Sequence, residues 1–394
     1  MLNFINYDKN GLLISLAGKI NAENAGELSD DLIKIRGKYP EGRVVIDTLD
    51  LGYISSAGLR VLLNLSKSEK EKPVLINVDA SFMDILEDTG FTRLFDVHKQ
   101  IKTISIDGCE LIGKGANGEV YKLSEEQVVK VFKEGVPLSY VQNERDLAQN
   151  SLLYGLPTAI TFAVVKIGER YGSVFELLNA RSLSGTINDD PAAFDTYKDE
   201  YVRIFKMLHS TVVDVSEFPA VKDVYRGYID DCEGWYSREE ISILRNLVDS
   251  VPDRNTLIHG DFHANNIMIA DNKLTLIDMG DVSAGHPVFD FLATAATQVN
   301  LVELNPEYAR MHTGMPVDMI RKLWRYLIDN YFNDKTCEEK DRIEQQIRLF
   351  SKLKVALAPA VAKSLDPGVM KASVEDAKKN LIPRADELIG AVDW

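Results

Sequence analysis

The chain has 394 residues, 45% hydrophobic and 27% charged, the composition of a globular protein of two or three domains. Sixty acidic against 45 basic residues leave a formal charge of −15, which argues against a nonspecific binder of nucleic acid or of an anionic membrane. No apolar run approaches the roughly 18 to 20 residues that span a bilayer, and the opening MLNFINYDKNGLLISLAG has no basic region ahead of its apolar segment, so a cytoplasmic protein is expected.

The first hundred residues alternate apolar runs of strand type with helical stripes. Gly11 to Ala17, Arg43 to Asp47 and Pro73 to Asn77 are the strands. Between them Leu28, Leu32 and Ile35 recur at helical spacing, and Leu59, Leu62, Leu63 and Leu65 form a second stripe after Gly58. This alternation predicts an α/β domain over residues 1–103. Within DTLDLGYISSAGLRVLL, residues 47–63, a strand and a loop precede a helix opening at Ser55-Ser56-Ala57-Gly58-Leu59. Ser56 stands at that helix start, where unpaired N–H groups suit either a capping hydroxyl or a phosphate.

The pattern changes near residues 101–109. Five strands and one helix are expected to about residue 180, and residues 181–394 read as helical apart from a hairpin near 267–277. The expectation is an α+β bilobal domain, with a small β-rich lobe over 104–180, a larger helical lobe over 181–394 and a cleft between. In LIGKGANGEVYKL, Gly113, Gly115, Gly118 and Val120 follow the spacing G-x-G-x-x-G-x-V, and strands flank the loop on both sides. A dinucleotide fold would follow such a loop with a helix, whereas a loop between two strands suits a flap over phosphates or a plain hairpin turn. Lys130, inside the strand VVKVF, needs an anion if it is buried, and Glu144 in the helical segment 140–152 is the nearest suitable carboxylate in the sequence. Cys109, Cys232 and Cys337 are too few and too far apart for a disulfide framework or a metal-ligand pattern.

The stretch HGDFHANN, residues 259–266, gathers three polar functional groups ahead of the apolar run Ile267-Met268-Ile269. A turn at 270–273 and a second run, Leu274 to Ile277, make an antiparallel hairpin that sets Asn266 beside Asp278. An amide oxygen and a carboxylate converging there suit Mg²⁺, and Asp261 on the preceding loop can accept a hydroxyl proton. His259 is assigned a buttressing role in that loop. Asp230, Asp231 and Glu233 suit either a solvated helix face or a cationic substrate.

From about Ile106 onward these motifs together resemble the aminoglycoside phosphotransferase and choline kinase family, which has the protein kinase-like fold. The resemblance implies that Gly113, Gly115 and Gly118 cover the phosphates of ATP, that Lys130 contacts the α- and β-phosphates and pairs with Glu144, and that Asp261 is the catalytic base. It implies Asn266 and Asp278 as Mg²⁺ ligands, Val174 to Leu178 as the hinge that holds adenine, with Glu176 and Leu178 in it, and Asp290 as a structural aspartate. Gly260 precedes Asp261 where protein kinases usually carry Arg, and Asp290 follows Asp278 by only twelve positions, which leaves little room for a peptide platform and favours a small-molecule hydroxyl as acceptor. Residues 47–63 resemble the STAS domain of anti-sigma factor antagonists, in which Ser56 matches the phosphorylated serine and Ser55 replaces a frequent aspartate. That resemblance implies a sensing domain, or an anti-sigma-like protein partner in a partner-switching circuit whose kinase-like lobe phosphorylates a protein serine or only binds nucleotide.

Overall fold

A computed structural model describes residues 2–8, 11–115, 117–361, 367–392 and 394, and the chain divides into two units, Met1–Thr103 and Ile104–Trp394. The first unit carries strands β1 (Leu2–Asp8), β2 (Gly11–Ile20), β3 (Val44–Ile54), β4 (Val74–Val78) and β5 (Asp96–Lys99), in the spatial order β1-β2-β3-β4-β5. β1 pairs antiparallel with β2, and the remaining pairs are parallel. Parallel neighbours need crossover connections, supplied by α1 (Ala25–Lys38), α2 (Ser56–Ser68) and α3 (Ala80–Asp88). Alternate residues of β2, Leu12, Ile14 and Leu16, are buried against Leu28 and Leu32 of α1 and Leu62 and Leu65 of α2. The expected loop after Asp47 is instead strand: β3 runs on to Ile54, held beside β2 by the pairs Gly18↔Leu51 and Ile20↔Ile54.

In the second unit the antiparallel sheet uses β6 (Glu110–Lys114), β7 (Gly118–Lys122), β8 (Gln127–Phe132), β9 (Thr161–Ile167) and β10 (Arg170–Glu176), running β9-β10-β8-β7-β6. Helix α4 (Leu138–Leu153) buries Val141, Glu144, Leu147, Ala148 and Ser151, a stripe at helical spacing that includes one acidic residue. Beyond the sheet the chain is mainly helical, with aromatic packing of Phe205, Phe262 and Phe291 in its core. The predicted hairpin is β12 (Ile267–Ala270) and β13 (Lys273–Leu276), with Asp271 and Asn272 both at positive φ, 49° and 59°, as a two-residue turn of the favoured hand requires. The helical region also holds short strands that the apolar patterning does not announce. Thr256–Ile258 pairs with Ser283–Gly285, and β11 (Arg181–Ser182) pairs with β12. Two or three residues are too few for a period of two to register, and long-range pairing decides them.

Candidate active site

The predicted glycines, Val120, Lys130, Glu144, Glu176, Leu178, Asn266 and Asp278 all line one cavity of about 620 Å³. Each element contributes for a local reason. Lys130 lies on β8 between Ser173 of β10 and Val120 of β7, while Val129 and Val131 beside it are fully buried. Strand alternation therefore sends Lys130 to the face opposite its valine neighbours. Its Nζ stands 2.7 Å from Glu144 Oε1 and 2.7 Å from Asp278 Oδ1. Burial disfavours the ammonium, but Asp278 and Glu144 outweigh it and raise the lysine above its ordinary range. Glu144 is also raised, by its own burial first, with Lys130 opposing. One cation thus serves two carboxylates, and the buried Oε2 of Glu144 finds no donor among the described residues.

The glycine loop divides by function. A Cβ on Gly118 would collide with the Val131 carbonyl oxygen, so this glycine is required by strand pairing itself. A Cβ on Gly115 would meet nothing, which leaves that backbone open to the cavity. At the far end, Glu176 Oε1 accepts from the Ile160 N–H at 2.8 Å and the Leu177 N–H donates to Glu126 O at 2.8 Å. The carboxylate of Glu176 is thereby engaged in the protein, while the Leu178 N–H makes no hydrogen bond among the described residues, and Leu178 lines the cavity with Val128, Ala159 and Met268.

The hairpin does bring Asn266 and Asp278 together. The Ile277 N–H donates to Asn266 O at 3.0 Å, and Asp278 follows at once, turned by a left-handed backbone of φ 59° toward Lys130. Asn266 is buried, and its Nδ2 donates to Asp261 O at 3.0 Å and to Asp261 Oδ2 at 3.1 Å. Asp261 is not part of the cavity lining and keeps 37% of its side chain exposed. Its Oδ2 is 3.3 Å from His263 Nε2. Burial opposes its charge, but His263, then Lys354 and His259, hold the carboxylate below the usual range, and Asp261 in turn raises His263 against that residue's own burial.

The loop carrying Asp261 is fixed from below by Asp290, which is fully buried. Its carboxylate accepts from the His259 N–H at 2.9 Å and the Gly260 N–H at 2.7 Å. His209 Nε2 lies 3.1 Å from the same carboxylate, and His209 Nδ1 lies 2.9 Å from the Tyr331 hydroxyl. Gly260 has φ +80°, and a Cβ there would lie 2.6 Å from Asp281 O, so no larger residue fits between the loop and Asp281. His259 is buried, and its Nδ1 accepts from the Asp261 N–H at 3.3 Å, a buttressing contact. On the outer side of the loop, Lys354 Nζ is 3.4 Å from Gly260 O, an arrangement that no local sequence pattern marks.

Asp230 is ion-paired with Arg245 on an exposed helix surface, in keeping with a solvated helix face. Groups of three or more His, Cys, Asp or Glu that could hold a metal ion are absent among the described residues. Asn266 and Asp278 offer one amide oxygen and one carboxylate, a donor set that would suit an ion taking its other ligands from phosphate and water.

Residues 108–317, more than half of the chain, match the model of the phosphotransferase enzyme family. The chain belongs to that family. Residues 5–104 match the STAS domain, and the front unit is a STAS domain. BtrV of Bordetella bronchiseptica, named as an anti-sigma factor antagonist, is 38% identical over 91 residues, which are 22% of this chain and 78% of the relative. Among solved structures, the chain is similar to an ADP-bound aminoglycoside phosphotransferase, APH(2'')-Ib, at 18% identity, covering 78% of this chain and 99% of the other with a TM-score of 0.47. It is similar to a choline/ethanolamine kinase family protein of Mesorhizobium loti at 13% identity, covering 72% and 92%, with a TM-score of 0.44. No helix among the described residues is long and apolar enough to cross a membrane.

In the STAS domain the capping role falls on Ser55, not Ser56. Ser55 has extended backbone, and its Oγ accepts from the Gly58 N–H at 3.4 Å. Ser56 is the first helical residue, exposed, with its hydroxyl uncommitted among the described residues. The residue that replaces the usual aspartate is thus itself the helix cap.

Proposed function

We propose that residues 104–394 transfer the γ-phosphate of ATP to a hydroxyl of a small molecule, with Mg²⁺, and that the STAS domain senses a ligand or a partner. The observation that carries this is the chain of contacts Glu144–Lys130–Asp278 at the phosphate end of one cavity, joined through Asn266 to the exposed carboxylate of Asp261. Lys130 binds the α- and β-phosphates, Gly113, Gly115 and Gly118 cover them, and Glu176 and Leu178 offer backbone groups to the adenine. Mg²⁺ held by Asn266 and Asp278 would neutralise charge on the phosphates. Asp261 accepts the proton as the acceptor oxygen bonds to the γ-phosphorus and the bond to the bridging oxygen breaks, giving ADP and a phosphate monoester. Asp290 and His259 keep the loop from shifting.

The test is phosphotransfer from labelled ATP, with Mg²⁺, to a panel of amino-alcohols, sugars and aminoglycosides. Asp261→Asn should lower the transfer rate by about two or more orders of magnitude while retaining ATP affinity. A variant that still turns over normally would remove Asp261 from this role.

A second reading rests on the uncommitted hydroxyl of Ser56. A partner-switching protein would carry phosphate there, at a helix N-terminus that favours an anion. Phosphopeptide mapping after incubation with ATP, alone and with a serine-bearing partner STAS domain, separates it from small-molecule transfer.

A further inference from the structure

The outer side of the Asp261 loop holds a cation that the phosphotransfer reading does not use. Lys354 reaches back from the helical segment Lys352–Ala356 and is half-buried. Its ammonium has one weak backbone acceptor, Gly260 O at 3.4 Å, and lies 5.7 Å and 5.9 Å from the ring centroids of Tyr225 and Tyr228. Among the described residues no carboxylate stands within 4.0 Å of it. This differs from Lys130, whose two carboxylates are in direct contact. Aromatic faces hold a cation in place without neutralising it, and a half-buried ammonium with unused N–H donors is costly unless an anion completes it.

The position says which anion. Gly260 immediately precedes Asp261, and a hydroxyl that gives its proton to Asp261 must sit about 2.6–3.2 Å from that carboxylate. Whatever is bonded a few atoms from that hydroxyl then lies beside Lys354. Asp261 and Asp281 are two carboxylates whose charge is felt by the ammonium. Asp261 is assigned to the hydroxyl, and Asp281, which makes no ion pair among the described residues, is a rival attraction for a positively charged substrate.

We propose that Lys354, framed by Tyr225 and Tyr228, recognises an anionic group on the acceptor, so that the alcohol phosphorylated here carries a carboxylate or phosphate near its hydroxyl. This rests on the phosphotransfer reading and narrows it to a class opposite in charge to aminoglycosides.

Binding is measured on the full chain complexed with Mg²⁺ and a non-hydrolysable ATP analogue, by calorimetry. The probes are glycerate, glycerol and 3-amino-1,2-propanediol, and the larger series gluconate, sorbitol and glucosamine. In at least one series the carboxylate should bind about tenfold or more tightly than its ammonium counterpart. Lys354→Met should abolish that preference and Lys354→Arg should keep it, with affinity for the analogue as the check on folding. Equal binding across both series, no binding of either carboxylate, a preference that survives Lys354→Met, or an ammonium preference lost in Asp281→Asn would each overturn the proposal. Carboxylates that bind as expected but receive no phosphate from ATP would instead refute the phosphotransfer reading and leave the anion subsite standing.

Discussion

At the scale of single residues, the site is a set of shared charges. Asp278 pairs with Lys130 and lines the cavity, whereas Asn266 serves Asp261 through two hydrogen bonds. Their loss should therefore be felt in different steps. Asp278→Ala removes a full negative charge and should weaken Mg²⁺-dependent ATP binding, seen as a raised KM for ATP. Asn266→Ala should lower kcat more than it raises that KM, because Asp261 loses the amide that orients it. Steady-state kinetics at varied Mg²⁺ checks this, and parallel effects of the two substitutions would contradict it. That His259, Asp261 and Asn266 lie together was legible from their spacing alone, since loop residues a few positions apart stay together in any fold. Lys354 could not, because 93 residues separate it from Asp261.

At the scale of elements, short-range patterns were legible where one face of a strand or helix is buried. The β12–β13 hairpin is specified by two apolar runs and a turn at 270–273, so the proximity of Asn266 and Asp278 follows from local chemistry. The start of α2 was less legible, because two adjacent serines compete for one cap. Backbone geometry assigns it to Ser55. Ser55→Ala should accordingly cost about 1 kcal/mol of stability in the STAS domain, while Ser56→Ala should change it by a few tenths or less. Chemical denaturation of the two variants decides this, and the reverse order would move the cap to Ser56. The extension of β3 to Ile54 was hidden because Asp47, Asp50 and Gly52 interrupt its apolar alternation. Pairing with β2 overrides that weak propensity.

At the scale of the molecule, each unit has its own core. Leu12, Ile46 and Leu75 belong to the first, and Phe205, Phe262 and Phe291 to the second. Two unfolding transitions are expected in calorimetry, since each unit buries enough apolar surface to fold cooperatively. The ATP analogue with Mg²⁺, at about 100 times its Kd, should stabilise the second unit by about 2.7 kcal/mol and leave the STAS transition where it was. A STAS transition that moves with the nucleotide would show that the two units are energetically coupled.

The sequence by itself determined the two-part organisation, the strand-loop-strand setting of the glycines and the HGDFHANN loop with its hairpin, because each depends on side-chain periodicity or on residues close along the chain. Only the tertiary structure decided what those residues meet. It tied Asp290 to His209 and to the backbone under Asp261, engaged the Glu176 carboxylate with Ile160, paired Asp230 with Arg245, and brought Lys354 to the Gly260 carbonyl. Such contacts join residues distant in sequence, and they are selected by the packing of whole elements, to which no local pattern of hydropathy or charge is sensitive.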